Sequence, residues 1–159
     1  MTGCKGVGGA KYKPKPMKQL CLTVLLFSAV SVRAQDATLD SLLKVLQTAA
    51  HDTVKLKLLE AITDIAPDGE WQQYNLQMGE LARKVQKSPD AASSWLGKKY
   101  DAVNLNNIAF DFFQKGDFQN ALDYYNRSRT ISKDIGDNEN LALVLSNMGA
   151  IYDRQEEPD

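Results

Sequence analysis

The residues with the greatest chemical potential are one histidine, two cysteines and a turn rich in carboxylates. His51 lies in Ala-Ala-His-Asp-Thr (49–53), with no second histidine in the chain and no cysteine beyond residue 21. A zinc centre or an activated nucleophile needs partners that these counts do not supply. His51 is therefore expected at the surface or at a helix cap. Asp64, Asp68 and Glu70 surround the turn Pro67-Asp-Gly69. Paired carboxylates can hydrolyse glycosides, and oxygen-rich loops can hold calcium. The spacing fits no calcium loop, and acidic residues at such turns ordinarily act as solvated caps. The glycine-rich piece Gly3 to Lys11 lacks the Gly-Lys-Ser/Thr ending of a phosphate loop and follows no strand-like segment. No catalytic residue, metal site or cofactor is expected, and the chain reads as a binding module rather than an enzyme.

Charge divides the chain in two. The first 34 residues hold six of the 19 basic groups and none of the 20 acidic ones, so residues 35–159 carry a net −7. An acidic body of this kind argues against nucleic acid as a partner, because phosphate contacts need an excess of Lys and Arg. The basic stretch Lys11 to Lys18 leads into an apolar run, Leu20 to Val32, and then Arg33-Ala34-Gln35. A positive segment, a short apolar core, and Val32 and Ala34 at the −3 and −1 positions form a secretory signal pattern, with cleavage expected after Ala34. The apolar run is shorter than the roughly 20 residues of a membrane span. Met17 opens a signal of ordinary proportions and is an alternative start. Cys21 follows Lys18-Gln19-Leu20, without the small residues that precede a lipid-attached cysteine. Cleavage would remove both cysteines and leave a periplasmic or extracellular domain held by its core alone. Membrane contact is expected only through the signal segment or a region beyond this chain's C-terminus.

From Gln35 onward, apolar residues recur at intervals of three and four, the helical period. Leu39, Leu42, Leu43 and Leu46 mark a first helix. Val54 to Ile65 mark a second, with Asp52 or Thr53 as its cap and Pro67-Asp-Gly69 as its stop. A third is expected over 70–87, ended by Ser88-Pro89. A fourth runs over 91–115, a fifth over 119–134 and a sixth over 139–154, separated by Gly116-Asp117 and Ile135-Gly-Asp137. No strand-like alternation bounded by hairpin turns is present. The fold class is all-α.

Two of these helices repeat each other. At an offset of 40, Ala102/Ala142, Leu105/Leu145 and Asn107/Asn147 are identical, while Ile108/Met148, Ala109/Gly149 and Phe112/Tyr152 are similar. A fixed period of this size signals a stacked array. Here the chain resembles the tetratricopeptide repeat family. Counting Ala102 as position 1 of a 34-residue unit, Leu105, Ile108, Ala109 and Phe112 fall on positions 4, 7, 8 and 11. Ala121 and Tyr125 fall on positions 20 and 24. Ser128 stands where the family usually has alanine, and the linker Lys133 to Glu139 is longer than usual. Small residues at positions 8 and 20 let helix axes approach to about 8–10 Å.

The resemblance implies an α-solenoid of antiparallel helix pairs. Residues 1–34 form the leader, 35–90 the N-terminal helices with a degenerate pair, and 91–159 the array, with one unit at 102–135 and a partial unit at 142–155. The last unit stops after its first helix, so the array is expected to be truncated, with Leu145, Met148 and Tyr152 left uncovered.

In the family, the first helix of each unit lines a groove that binds proteins or peptides. The corresponding residues are Val103, Asn106, Phe110, Phe113 and Gln114, then Leu143, Ser146, Ala150, Asp153 and Arg154. Phe110 and Phe113 have a second reading as packing against helix 70–87. The carboxylate-clamp version of the groove is not implied, because Phe110 and Ala150 replace its asparagine. Asn126-Arg-Ser128 forms a glycosylation sequon, expected on an exposed helix face. The arrangement as a whole is similar to the periplasmic sensor region of Bacteroidetes-type histidine kinases and transcriptional regulators. That likeness implies the input part of a signal-transduction protein. A self-standing periplasmic scaffold or co-chaperone is the alternative.

Overall fold

A computed structural model describes residues 37–156, so the expected leader, its cleavage point and residues 157–159 lie outside the described residues. Six helices follow one another, with no strand among the described residues. They are α1 (37–48), α2 (Asp52–Ile65), α3 (Trp71–Val85), α4 (Ala91–Gln114), α5 (Phe118–Ile135) and α6 (Asn138–Glu156). The expected boundaries hold to within about two residues, the ordinary scatter of helix ends.

The stops have local causes. Ala66 is extended, with φ −65° and ψ 145°, as the residue before a proline is driven to be. Gly116 and Gly136 adopt φ of 76° and 72°, the left-handed region that costs glycine least. After each glycine comes an aspartate that does two jobs. Its N–H bonds back across the finished helix, Asp117 to the carbonyl of Phe112 and Asp137 to that of Ser132, each at 2.9 Å. Its carboxylate then caps the next helix, accepting from Asn120 N–H at 3.2 Å and Asn140 N–H at 3.2 Å respectively. Asp90 caps α4 in the same way, accepting from Ser93 N–H at 2.7 Å. At α2 the expected caps do not serve. Asp52 and Thr53 lie inside the first turn, His51 occupies the cap position without a side-chain bond, and Asp52 instead pairs with Lys84 of α3 at 2.9 Å.

From α2 onward each helix packs on the next, and α2, α4 and α6 also touch one another in turn. The backbones of α3 and α5 do not come within 8 Å. A two-layer stack that is tighter in one layer curves toward that layer, so α2, α4 and α6 form the inner face. The helix α4 is central. Its buried residues include the consecutive run Asn104, Leu105 and Asn106, which only a helix covered on opposite sides can show. One core gathers Leu56, Leu59, Met78, Ala82, Val85 and Tyr100, with Leu46 of α1 against it. The second gathers Ala109, Ala121, Tyr125, Val144, Met148 and Ile151.

Ala109 and Ala121 are fully buried where α4 and α5 meet. A tighter approach lies at Gly97, where a β-carbon would collide with the backbone of Ala82 and Gln86. The indole N–H of Trp95 closes the α4–α5 pair at its other end by donating to the carbonyl of Ile135 at 2.9 Å. On α6, Leu145 and Tyr152 are about half exposed, but Met148, expected to be uncovered with them, is buried at 6%. Met148 points back into the second core beside Val144 and Ile151 rather than toward the open side.

Candidate binding groove

The inner face holds two adjoining cavities. The first, of about 380 Å³, lies between α2, α4 and the start of α6, with Lys99, Val103, Asn106 and Asn107 along its α4 side. Glu60 and Asp64 bound it on α2, and Asp137, Glu139, Asn140 and Leu143 on the α6 side. The second, of about 270 Å³, lies beside the α2–α3 turn and is lined by Thr63, Asp64, Asp68, Trp71, Asn107 and Phe110, among others. Asp64 and Asn107 border both, so the two form one trough along α4 from Lys99 to Phe110.

The residues expected in the groove divide accordingly. Val103, Asn106 and Leu143 come together in the first cavity, and Phe110 lines the second. Phe113, Gln114, Ser146 and Asp153 line neither. Phe113 is half-buried, with its ring centroid 6.3 Å from that of Phe110 and 6.0 Å from that of Phe118, beneath the guanidinium of Arg154. It packs against the start of α5 and the end of α6. Gln114, Ser146 and Asp153 are exposed beyond the trough. Phe110 remains 42% exposed.

Asn106 departs furthest from a simple groove residue, because only 5% of it is exposed. Its Oδ1 accepts from Asn147 Nδ2 of α6 at 3.1 Å, and its Nδ2 reaches Asn107 Oδ1 at 3.5 Å. Asn107 in turn donates to Asn75 Oδ1 of α3 at 3.0 Å. Asn75 and Asn104 exchange reciprocal bonds, side-chain amide to backbone carbonyl, at 3.3 and 2.7 Å. A row of carboxamides thus crosses α3, α4 and α6 beneath the trough. Buried amides persist only when bonded, and these fix the register of the three helices. The identity Asn107/Asn147 at offset 40 hinted at this row. Asn75 and Asn104 gave no comparable signal.

A second polar knot explains Ser128. Its hydroxyl donates to the carbonyl of Ala102 at 2.7 Å, and Asn140 Nδ2 donates to Ser128 Oγ at 3.2 Å and to Ser132 Oγ at 2.7 Å. Serine here joins α4, α5 and α6 where alanine could only fill space. Ser128 is fully buried, and Asn126 is half-buried with its amide donating to the carbonyl of Leu122 at 2.9 Å. The sequon therefore does not lie on an exposed face, contrary to expectation.

Electrostatics set the character of the trough. Four carboxylates, Glu60, Asp64, Asp137 and Glu139, line the first cavity with Lys99 as the single cation among its lining residues. Burial pushes the carboxyl of Glu60 above its ordinary value; the hydroxyl of Tyr100, donating at 3.1 Å, and Lys99 oppose this, while Asp64 and Glu139 add to it. Burial raises Asp64 as well. His51 stands exposed at the far end of α2, outside this trough. Among the described residues no three His, Cys, Asp or Glu side chains converge to hold a metal ion, and no helix is long and apolar enough to cross a membrane.

No curated protein and no solved structure matches the chain. Residues 100–159 match the family model of the tetratricopeptide repeat, which covers the latter half of α4 and all of α5 and α6. Together with the stacked helix pairs, that match is consistent with an all-α solenoid like that of tetratricopeptide repeats, domains that generally bind proteins or peptides.

Proposed function

We propose that this chain is an exported protein–protein interaction module that serves as the ligand-binding input part of a signal-transduction protein, with no catalytic activity of its own. The observation that carries the reading is the continuous trough on the α2–α4–α6 face. From Lys99 to Phe110 it follows α4 for about 16 Å at 1.5 Å per residue, room for roughly five residues of extended chain. Exposed Phe110 and Leu143 offer apolar anchors at its two ends, and the amide row keeps its floor rigid, which lowers the ordering cost of binding.

Selection of a displayed peptide library on the full-length chain, followed by amide resonance mapping of a selected peptide, tests this. Shifts concentrated at Val103, Asn107, Phe110 and Leu143 support it. Shifts confined to the outer layer, at Leu76 and Arg129 for instance, overturn it. Export is tested by N-terminal sequencing of the protein from its native cell: a chain beginning at Gln35 supports the reading, and one retaining Met1 or Met17 removes it.

A further inference from the structure

The aspartates at the two glycine turns are built alike but finished differently. In Asp117, Oδ1 caps α5 and Oδ2 accepts from the side-chain amide of Asn120 at 2.7 Å. In Asp137, Oδ1 caps α6 in the same way, but the equivalent amide, that of Asn140, is committed to Ser128 and Ser132. Asp137 Oδ2 is consequently buried with no hydrogen-bond partner among the described residues, on a side chain that is only 7% exposed and lines the first cavity. An unpartnered buried carboxylate oxygen is costly, and the side chain that carries it lines a space also walled by Glu60, Asp64 and Glu139. These carboxylates do not converge on a point where a metal ion could sit. They are spread around a cleft whose remaining surface includes the apolar side chains of Val103 and half-exposed Leu143. That distribution suits an extended organic cation with apolar neighbours.

We propose that the groove selects a cationic, amphipathic peptide segment: a Lys or Arg side chain enters between Glu60, Asp64 and Glu139 toward Asp137, and its apolar neighbours cover Val103 and Leu143. The proposal rests on the groove reading above and adds the chemistry of the occupant. A long basic side chain brings several donors on an apolar stem, so it can answer the acidic walls and the orphaned oxygen together. Charge complementarity of this kind selects among partners as much as it strengthens binding.

The test uses the full-length chain and three fluorescein-labelled octapeptides in which valine alternates with lysine, serine or glutamate, followed by fluorescence anisotropy and resonance mapping. The lysine peptide is expected to bind at least about tenfold more tightly than the serine peptide, with the glutamate peptide weakest. A triple variant, Glu60→Gln with Asp64→Asn and Glu139→Gln, should erase that preference. A charge-matched triple on the outer helices, Glu80→Gln with Asp123→Asn and Asp134→Asn, should retain it. Equal binding of the serine and lysine peptides, mapped to Val103 and Leu143, overturns the charge selectivity and leaves the groove reading standing. Equal loss of preference in both triples assigns the effect to the acidic body as a whole and also overturns it. If none of the three peptides perturbs Val103 or Leu143, both readings fall. The peptide series on the unaltered chain decides the matter even if the first triple folds poorly.

Discussion

Tyr125 is fully buried, and its hydroxyl finds no hydrogen-bond partner among the described residues. Burial pushes that hydroxyl up to about 12 from an ordinary value of 10. The folded chain therefore resists its ionisation, and the associated stability is intact below pH 10 and lost as pH climbs toward 12. Tyr125→Phe is expected to raise stability at neutral pH by about 1 kcal/mol. It should also flatten the fall in stability across that alkaline window, both effects being measurable by urea titration. Glu60 runs on the same logic at the acidic end. Its carboxyl is raised above 4.5, chiefly by burial, so the favourable contribution is present at low pH and disappears as pH rises through the folded value. Glu60→Gln, which keeps an acceptor for Tyr100, should melt above the parent at neutral pH, and the gap should close as pH falls below 4.5. A gap that widened on acidification would show that Glu60 is held chiefly by attraction rather than strained by burial.

Helices and their ends were largely legible, because apolar spacing, proline and the paired Gly-Asp turns act within one or two turns of chain. The crossings were legible only where the repeat pattern marked them. Ala109 and Ala121 stand on family positions, whereas Gly97 sits in Trp95-Leu-Gly-Lys98 with no periodic cue. Its role follows from where the end of α3 meets the start of α4, which local spacing does not encode. The same holds for Asn75 and Asn104, polar residues on a buried seam whose partners lie 29 positions apart. Of the candidate groove residues, Val103, Leu143 and Phe110 were placed by register alone. Phe113 was not, since it answers to Phe118 and Arg154 on other helices. Two glycines provide the contrasting test. Gly97→Ala forces a β-carbon into the backbone of α3 and should cost about 1–3 kcal/mol. Gly149→Ala on α6 meets nothing within 4 Å and should stabilise by about 0.5–1 kcal/mol through reduced freedom of the unfolded chain. Thermal melts of the two variants side by side read out the difference.

Across the whole array, α4 contributes Tyr100 to one core and Ala109 to the other, so the two cores share a wall. The helix α6 is packed on one side and carries exposed Leu143, Leu145 and Tyr152 on the rest of its surface. Local opening free energies should therefore be graded. Amide hydrogen exchange is expected to be slowest in α4 and faster in α6; uniform protection would instead indicate all-or-none opening. The trough joins two materials with different responses to solution. Its floor is made of carboxamides, which carry no charge, and its walls of carboxylates, whose field is screened by salt. Concentrated brine would thus silence the walls while the floor held its shape, leaving an intact cradle whose grip is set by the surrounding medium.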